Sequence, residues 1–300
     1  MAVTVKAPAS SANLGPGFDV LGLAVALYNT IELVEGGPGL ELVVTGEGEG
    51  VLDRLPDKNL AVTTIDKFYK DLGRSRPPLR IRMDNRVPLA RGLGSSAATI
   101  VAALAAANEL SGAGLSKDRL FDLAVDIESH ADNVAAAVYG GLTIVYRRGA
   151  SFQVRRLDPA AGIGIVVMVP DTSLSTAKAR AALPDQVSRE AAVFNVGRTA
   201  LLIEALLSGD LSAAGAGLED ALHQPWRRSL IDDFDVVTQA ALEAGAVGAF
   251  ISGAGPTVAA LYDRTAEADM MAALPAALAQ AGSRRRALFL DVDTAGVVAG

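Results

Sequence analysis

Pro88-Leu89-Ala90-Arg91-Gly92-Leu93-Gly94-Ser95-Ser96-Ala97-Ala98 runs without a break into the alanine-rich stretch Thr99–Leu110. The stretch reads as a long helix, because alanine has the highest helix propensity and no proline interrupts it. Gly92 and Gly94 allow positive φ and close approach of the backbone to a ligand. Ser95 and Ser96 supply hydroxyls where a helix N-cap is wanted. The free N–H groups and positive dipole end of the helix then face an anion, and phosphate is the commonest such ligand. A plain loop closed by a serine cap would suffice for a bare Gly-x-Gly. Two glycines, two serines and a long helix together favour phosphate.

Two other phosphate loops are disfavoured. No Gly-Lys-Ser/Thr occurs, so this is not a Walker loop. Gly92, Gly94 and Ala97 satisfy the Gly-x-Gly-x-x-Ala dinucleotide spacing, but Arg86, Pro88 and Arg91 separate the preceding strand from Gly92. No acidic residue follows about 20 positions later on a second strand.

Composition narrows the chemistry further. The 300 residues contain no Cys and only His130 and His223. Thiolate nucleophiles, iron–sulfur clusters, Cys-bound zinc and multi-histidine metal centres are therefore excluded. The formal net charge is −7 and no basic run stands out, so nucleic acid is not expected as a partner. Half the residues are hydrophobic, yet the longest uncharged stretch, Ala244 to Tyr262, is broken by Gly245, Gly248, Gly253, Gly255 and Pro256. No membrane span is expected there, nor a signal peptide at Met1–Lys6. A cytoplasmic protein is the expectation.

Along the chain, strands are expected from Val3, at Ile31–Glu35, at Leu40–Thr45 with Gly36-Gly37-Pro38-Gly39 as the turn, at Leu79–Met83 and at Leu142–Tyr146. Helices are expected at Lys58–Leu72, Thr99–Leu110 and Ser116–Ile127, the last capped by Ser116. After Asp158-Pro159 come a wholly apolar strand, Ile163–Val169, and helices near Gln186–Leu207, Leu211–His223 and Asp235–Ala244. Strands around Ala249–Ser252 and Val258–Tyr262, a helix over Glu267–Ala281 and a strand at Ala287–Leu290 complete the chain. The interleaving lacks regular βαβ spacing, so the class is α+β, with domains expected at residues 1–158 and 159–300.

Two more loops carry polar groups. Ala7-Pro8-Ala9-Ser10-Ser11-Ala12-Asn13-Leu14-Gly15-Pro16-Gly17-Phe18-Asp19 reads as an ordered turn, in which Asn13 and Asp19 can cap backbone groups. Ser252-Gly253-Ala254-Gly255-Pro256-Thr257 reads as a hairpin turn between two apolar strands.

The three loops together resemble the motifs of the galacto-, homoserine, mevalonate and phosphomevalonate kinase superfamily, the GHMP kinases. Residues 88–98 resemble its nucleotide loop, 252–257 its third motif, and 7–19 the first motif of its homoserine kinase branch. The motifs stand in the family's order and span nearly the whole chain. The resemblance implies two domains, an N-terminal one with a left-handed βαβ unit and a ferredoxin-like C-terminal one, with a site between them. It implies an ATP-dependent kinase with Mg2+, and L-homoserine as phosphoryl acceptor in threonine biosynthesis. A homodimer is a further possibility it raises.

Residue by residue, Pro88, Arg91, Gly92, Leu93, Gly94, Ser95, Ser96 and Ala97 would hold ATP. Glu128-Ser129-His130-Ala131-Asp132-Asn133 is similar to the family's Glu-Gly-His-Pro-Asp-Asn stretch. Glu128 and Ser96 would then ligate magnesium, with Asp122 a rival for the carboxylate. His130, Asn13, Asp19 and Gly253 would contact the acceptor. Ser175-Thr176-Ala177-Lys178-Ala179-Arg180 and His223-Gln224-Pro225-Trp226-Arg227 resemble two further motifs. They imply Arg180 and Arg227 as a clamp on the α-carboxylate, and Asn133, Thr176 and Arg180 as the catalytic set. A guanidinium pairs bidentately with a carboxylate, so the chemistry is consistent. Relatives such as mevalonate kinase carry an Asp near the reacting hydroxyl. Asn133 stands at the matching place here, which implies transfer without a strong protein base. Mevalonate or a sugar as acceptor, or a relative that binds without transfer, are the competing readings.

Overall fold

The computed structural model describes residues Met1–Gly300. The first layer is a seven-stranded sheet made of β1 (Ala2–Ala12), β2 (Leu21–Glu35), β3 (Leu40–Gly46), β4 (Leu79–Asn85), β5 (Leu142–Arg148), β6 (Ser151–Leu157) and β11 (Val298–Ala299). Its main path runs β11-β1-β2-β4-β3, and β5 pairs with β2 and with β6. The glycine run at 36–39 does not join paired neighbours. β4 lies between β2 and β3 and pairs with β3 in parallel, so β3, helix α1 (Leu60–Asp71) and β4 form a βαβ unit.

Helices α2 (Ser95–Ser111), α3 (Lys117–Glu128) and α4 (Ala131–Tyr139) complete the first half. α2 is apolar on nearly every side, and a helix of that kind belongs in a core. All of Ala97 to Asn108 is buried, between the sheet and helices α1, α3 and α4. The structure starts this helix four residues before Thr99, at Ser95.

The second layer is an antiparallel sheet, β10 (Arg286–Leu290), β7 (Ile163–Val169), β9 (Val258–Asp263) and β8 (Ala246–Ile251), in the order β10-β7-β9-β8. With α5 (Thr176–Ala181), α6 (Arg189–Ser208), α7 (Leu211–Gly217), α8 (Gln224–Arg227), α9 (Phe234–Glu243) and α10 (Glu267–Gln280), this gives the ferredoxin-like βαββαβ order. The stretch Leu211–His223 is not one helix. α7 stops at Gly217, and Asp220 then accepts from the N–H groups of Leu222, His223 and Gln224 to start α8. α6 is 20 residues long and apolar enough by composition to cross a membrane. Its Asn195 and Thr199 side chains instead donate to the Pro16 carbonyl of the first half, and Arg198 pairs with Glu219.

Further features depart from the sequence expectations. Ala7–Ala12 is strand rather than loop: β1 continues to Ala12, with a register shift between Pro8 and Ala9 that accommodates the proline. β6 and α4 are elements that the sequence pattern does not predict. β11 returns to pair with β1, so the final residues join the first sheet and a single cut after Asp158 does not separate the two layers. Ala9, Leu14, Leu21 and Leu93 from the first half pack with Ile165, Leu202, Phe250 and Leu261 from the second in one core cluster.

Candidate active site

The cleft between the layers has a volume of about 400 Å3 and takes residues from all three glycine-bearing loops. Its floor is the turn into α2. Gly94, at φ 65°, is the N-cap, and no side chain caps this helix. The Ser95 hydroxyl donates to the Val87 carbonyl instead and is buried, so the expected serine cap is not made. Ala98 is the first residue of the turn to donate within the helix, to Gly94. The N–H groups of Gly92 through Ala97 therefore have no acceptor in the chain, and an unpaired N–H row at a helix N-terminus is an anion cradle.

Both glycines are required by close approach. A Cβ on Gly92 would lie 2.3 Å from the Ser252 carbonyl oxygen, and one on Gly94 would lie 2.0 Å from Ser10 Oγ. Ser252 Oγ also donates to the Gly92 carbonyl at 2.7 Å, fastening the third loop to the first. Leu93 points into the shared core and is fully buried, an anchor worth about 1.5–3 kcal/mol. Ala97 and Pro88 are buried as well, so Pro88, Leu93 and Ala97 shape the loop without their side chains lining the cleft. Arg91 was expected beside the phosphates. Its guanidinium donates to the carbonyls of Leu89, Pro170 and Asp171, and so ties the loop to the second layer.

One end of the cleft is lined by Leu52, Asn59, Leu60, Met83, Asn85 and Leu89, apolar surfaces with two amides, suited to a flat base. Nothing in the sequence singled these residues out, since they come from β4, α1 and two connections whose meeting is tertiary. Asn85 Oδ1 is buried without a partner, which leaves an acceptor free.

The opposite end is polar. Asn13, Asp19, Asp132, Asn133, Thr176, Arg180, Arg227 and Gly253 line it with Glu128 and His130. Asn13, at φ 71°, uses both ends of its amide: Oδ1 accepts from the Asp19 N–H and Nδ2 donates to the Gly253 carbonyl at 2.7 Å. It holds the loop as much as it lines the cleft. Asn133 Oδ1 accepts from Ser10 Oγ at 3.0 Å, and its Nδ2 donates to Asp132 Oδ1 at 3.1 Å. The sequence does not single out Ser10, because its partner Asn133 lies 123 positions away.

The two arginines differ. Arg180 is paired with Asp19 by two hydrogen bonds of 2.9 and 3.1 Å, so these expected acceptor contacts bind one another across the cleft. Arg227 is 2% exposed and has no carboxylate within ion-pairing range. It donates to the carbonyls of Ala179 and Gly253 and to His223 Nδ1, and its Nη2 has no acceptor. Burial lowers its pKa. An almost buried guanidinium without an anion is expensive to maintain, and a carboxylate arriving in the cleft would relieve the cost. Burial, and then the Asp19 carboxylate, push the Asp132 carboxyl up to about 6. Donating a hydrogen bond to the Glu128 carboxylate raises the pKa of His130 against the effect of burial.

For a divalent cation, Glu128 and the exposed Ser96 hydroxyl are both on the cleft wall, and Glu128 has no Lys or Arg partner, only His130 at 3.3 Å. Asp122 is exposed, lies near Arg119 and does not line the cleft. No group of three or more acidic or His side chains forms a closed cage. One carboxylate and one hydroxyl suit magnesium that keeps waters and takes phosphate oxygens.

An N–H cradle at a helix start, a base-sized apolar end and a polar end facing it define an ATP-dependent small-molecule kinase. The family model described as GHMP kinases N terminal domain matches residues 59–141, and that described as GHMP kinases C terminal matches residues 202–280. The homoserine kinase of Nostoc punctiforme is 42% identical over 299 residues, covering 98% of this chain and 97% of its own. That of Moorella thermoacetica is 42% identical over 278 residues, covering 93% of each. The crystal structure of homoserine kinase from Cytophaga hutchinsonii superposes with a TM-score of 0.89 at 32% identity, covering 100% of this chain and 97% of its own. The chain belongs to the GHMP kinases, and within them to the homoserine kinases.

Proposed function

We propose that the chain transfers the γ-phosphoryl group of ATP to the terminal hydroxyl of L-homoserine, giving ADP and O-phospho-L-homoserine for threonine biosynthesis. The observation that carries this reading is Arg227, a buried cation with an unused donor that faces the same cleft as the phosphate cradle. Asp19 and Asp132 lie on the same wall. An amino acid brings one carboxylate and one ammonium, and this wall offers a counter-charge for each. Mevalonate offers a carboxylate alone, and a sugar offers neither.

The base sits between Leu52, Leu60, Met83 and Leu89, and the amides of Gly92 to Ala97 take the phosphates. Glu128 and Ser96 would hold a magnesium ion, whose charge would neutralise that of the phosphates. Arg227 takes the α-carboxylate. Arg180 exchanges part of its pairing with Asp19 for the substrate, which frees Asp19 for the ammonium. Ser10 and Asp132 fix the Asn133 amide next to the acceptor. An amide cannot remove a proton. Phosphoryl transfer through a loose transition state depends on positioning and charge more than on a base, so the hydroxyl proton passes late to the transferred phosphate. A large rise in turnover in Asn133→Asp, with a new acidic limb in its pH profile, would contradict base-free transfer.

The test is an analogue series. L-Homoserine should be phosphorylated, while 4-hydroxybutyrate (no ammonium) and homoserine amide (no carboxylate) should lose at least tenfold in kcat/KM. Equal rates for all three would contradict recognition of both charges.

A further inference from the structure

We infer that His223 is a positioning residue: as the neutral Nε2–H tautomer it holds the Arg227 guanidinium at the angle the acceptor carboxylate requires. The inference rests on the reading of Arg227 as the carboxylate receptor. His223 is fully buried. Its Nε2 is 2.7 Å from the Gly15 carbonyl oxygen, which can only accept, so this nitrogen carries the hydrogen. Its Nδ1 is 3.3 Å from Nη1 of Arg227, which can only donate, so this nitrogen presents its lone pair. The two bonds together allow one protonation state. A protonated ring would set an N–H against a guanidinium N–H.

The surroundings keep the ring in place. Phe18 stacks on it with centroids 5.0 Å apart and also lies under Arg227, whose Cζ is 5.1 Å from the Phe18 centroid. Arg180 stands at the same ring, 5.9 Å from its centroid. The other charged group that faces the imidazole is Asp220, with Oδ2 3.7 Å from Nε2. That carboxylate is already engaged by Asn195 Nδ2 and three backbone N–H groups, so it acts as a cap for α8. Burial lowers the pKa of His223, in keeping with the neutral form. The arrangement suits a receptor that must stay cationic: the imidazole fills one guanidinium donor without bringing a negative charge that would compete with the substrate.

Two substitutions separate this role from a structural one. In His223→Asn the side-chain oxygen stands where Nδ1 stood and can accept from Arg227, but the reach to Gly15 is lost. In His223→Gln the reach to Gly15 is kept and the Nδ1 acceptor is lost. The expected result is that Gln raises the homoserine KM at least tenfold and Asn less than threefold, with ATP KM and kcat within twofold in both. Equal effects of the two, or a larger effect of Asn, would overturn the proposal. Arg227→Lys is the control: if it leaves the homoserine KM unchanged, the carboxylate reading itself fails. A second measurement needs no variant. With two histidines in the chain, 15N spectra of the imidazoles at neutral pH should show one ring held wholly as the neutral Nε2–H tautomer. If neither ring is held as the Nε2–H tautomer, the assignment is equally overturned.

Discussion

Gly94→Ala tests whether the phosphate loop and the acceptor side are mechanically joined. The residue sits at φ 65°, and its new Cβ would fall 2.0 Å from Ser10 Oγ and 3.0 Å from Asn133 Oδ1. The left-handed backbone alone costs about 1–2 kcal/mol with a Cβ present. Ser10 is fully buried and cannot swing to solvent. Relieving the clash means giving up its hydrogen bond to Asn133, at about 0.5–1.5 kcal/mol. The expected loss of stability is therefore about 1.5–3.5 kcal/mol, measured as a shift of the urea midpoint at constant slope. Because Asn133 is released, kcat should also fall by at least tenfold. Ser10→Ala removes the clashing oxygen, so the double variant should be more stable than the two single effects predict, by about 1 kcal/mol, a coupling typical of residues in contact. Strict additivity in this cycle, or a kcat in Gly94→Ala within twofold of the parent, would refute the reasoning.

Further outcomes follow from the same site. Arg227→Met should raise the homoserine KM by roughly a hundredfold or more, since charge-assisted hydrogen bonds contribute about 1.5–3 kcal/mol each, while the ATP KM stays within threefold; steady-state kinetics decide this. Glu128→Gln should raise the magnesium concentration needed for half-maximal rate, and Asp122→Asn should not; a magnesium titration at saturating ATP separates them. Asp132 gives a pH-dependent stability. Its carboxyl is held at about 6 in the folded state, against an ordinary 3.8. The native state therefore binds the proton more tightly than the unfolded chain does, and stability falls as pH rises from about 4 through 6. The gap is worth about 3 kcal/mol. Asp132→Asn should be stabilising by up to that amount at pH 8 and neutral at pH 4, in denaturation curves run at both.

Much of this site was legible in the sequence because its chemistry is local. Gly92 and Gly94 announce close approach, and the alanine run behind them announces a helix with free amides. What the sequence left closed depends on partners far along the chain. Ser95 looked like a cap, but its hydroxyl is satisfied by Val87 once the loop folds back, and Gly94 takes the cap position. Ala7–Ala12 read as a loop because small residues and Pro8 carry no strand periodicity; pairing with β2 along that whole segment makes it strand. The family resemblance implies Arg180 and Asp19 each as a substrate contact, and only the fold shows that they pair across 161 positions. The base-binding end escaped notice for the same reason, since Leu52, Met83 and Leu89 are ordinary apolar residues until β4 and the connections around it converge.

The most direct measurement is ADP release by the purified full chain with ATP and magnesium, over L-homoserine, L-threonine, mevalonate and galactose. The account predicts a rate with L-homoserine well above that with any other acceptor, and O-phospho-L-homoserine as the product. No rate above background with L-homoserine, or a faster one with mevalonate or galactose, would contradict it.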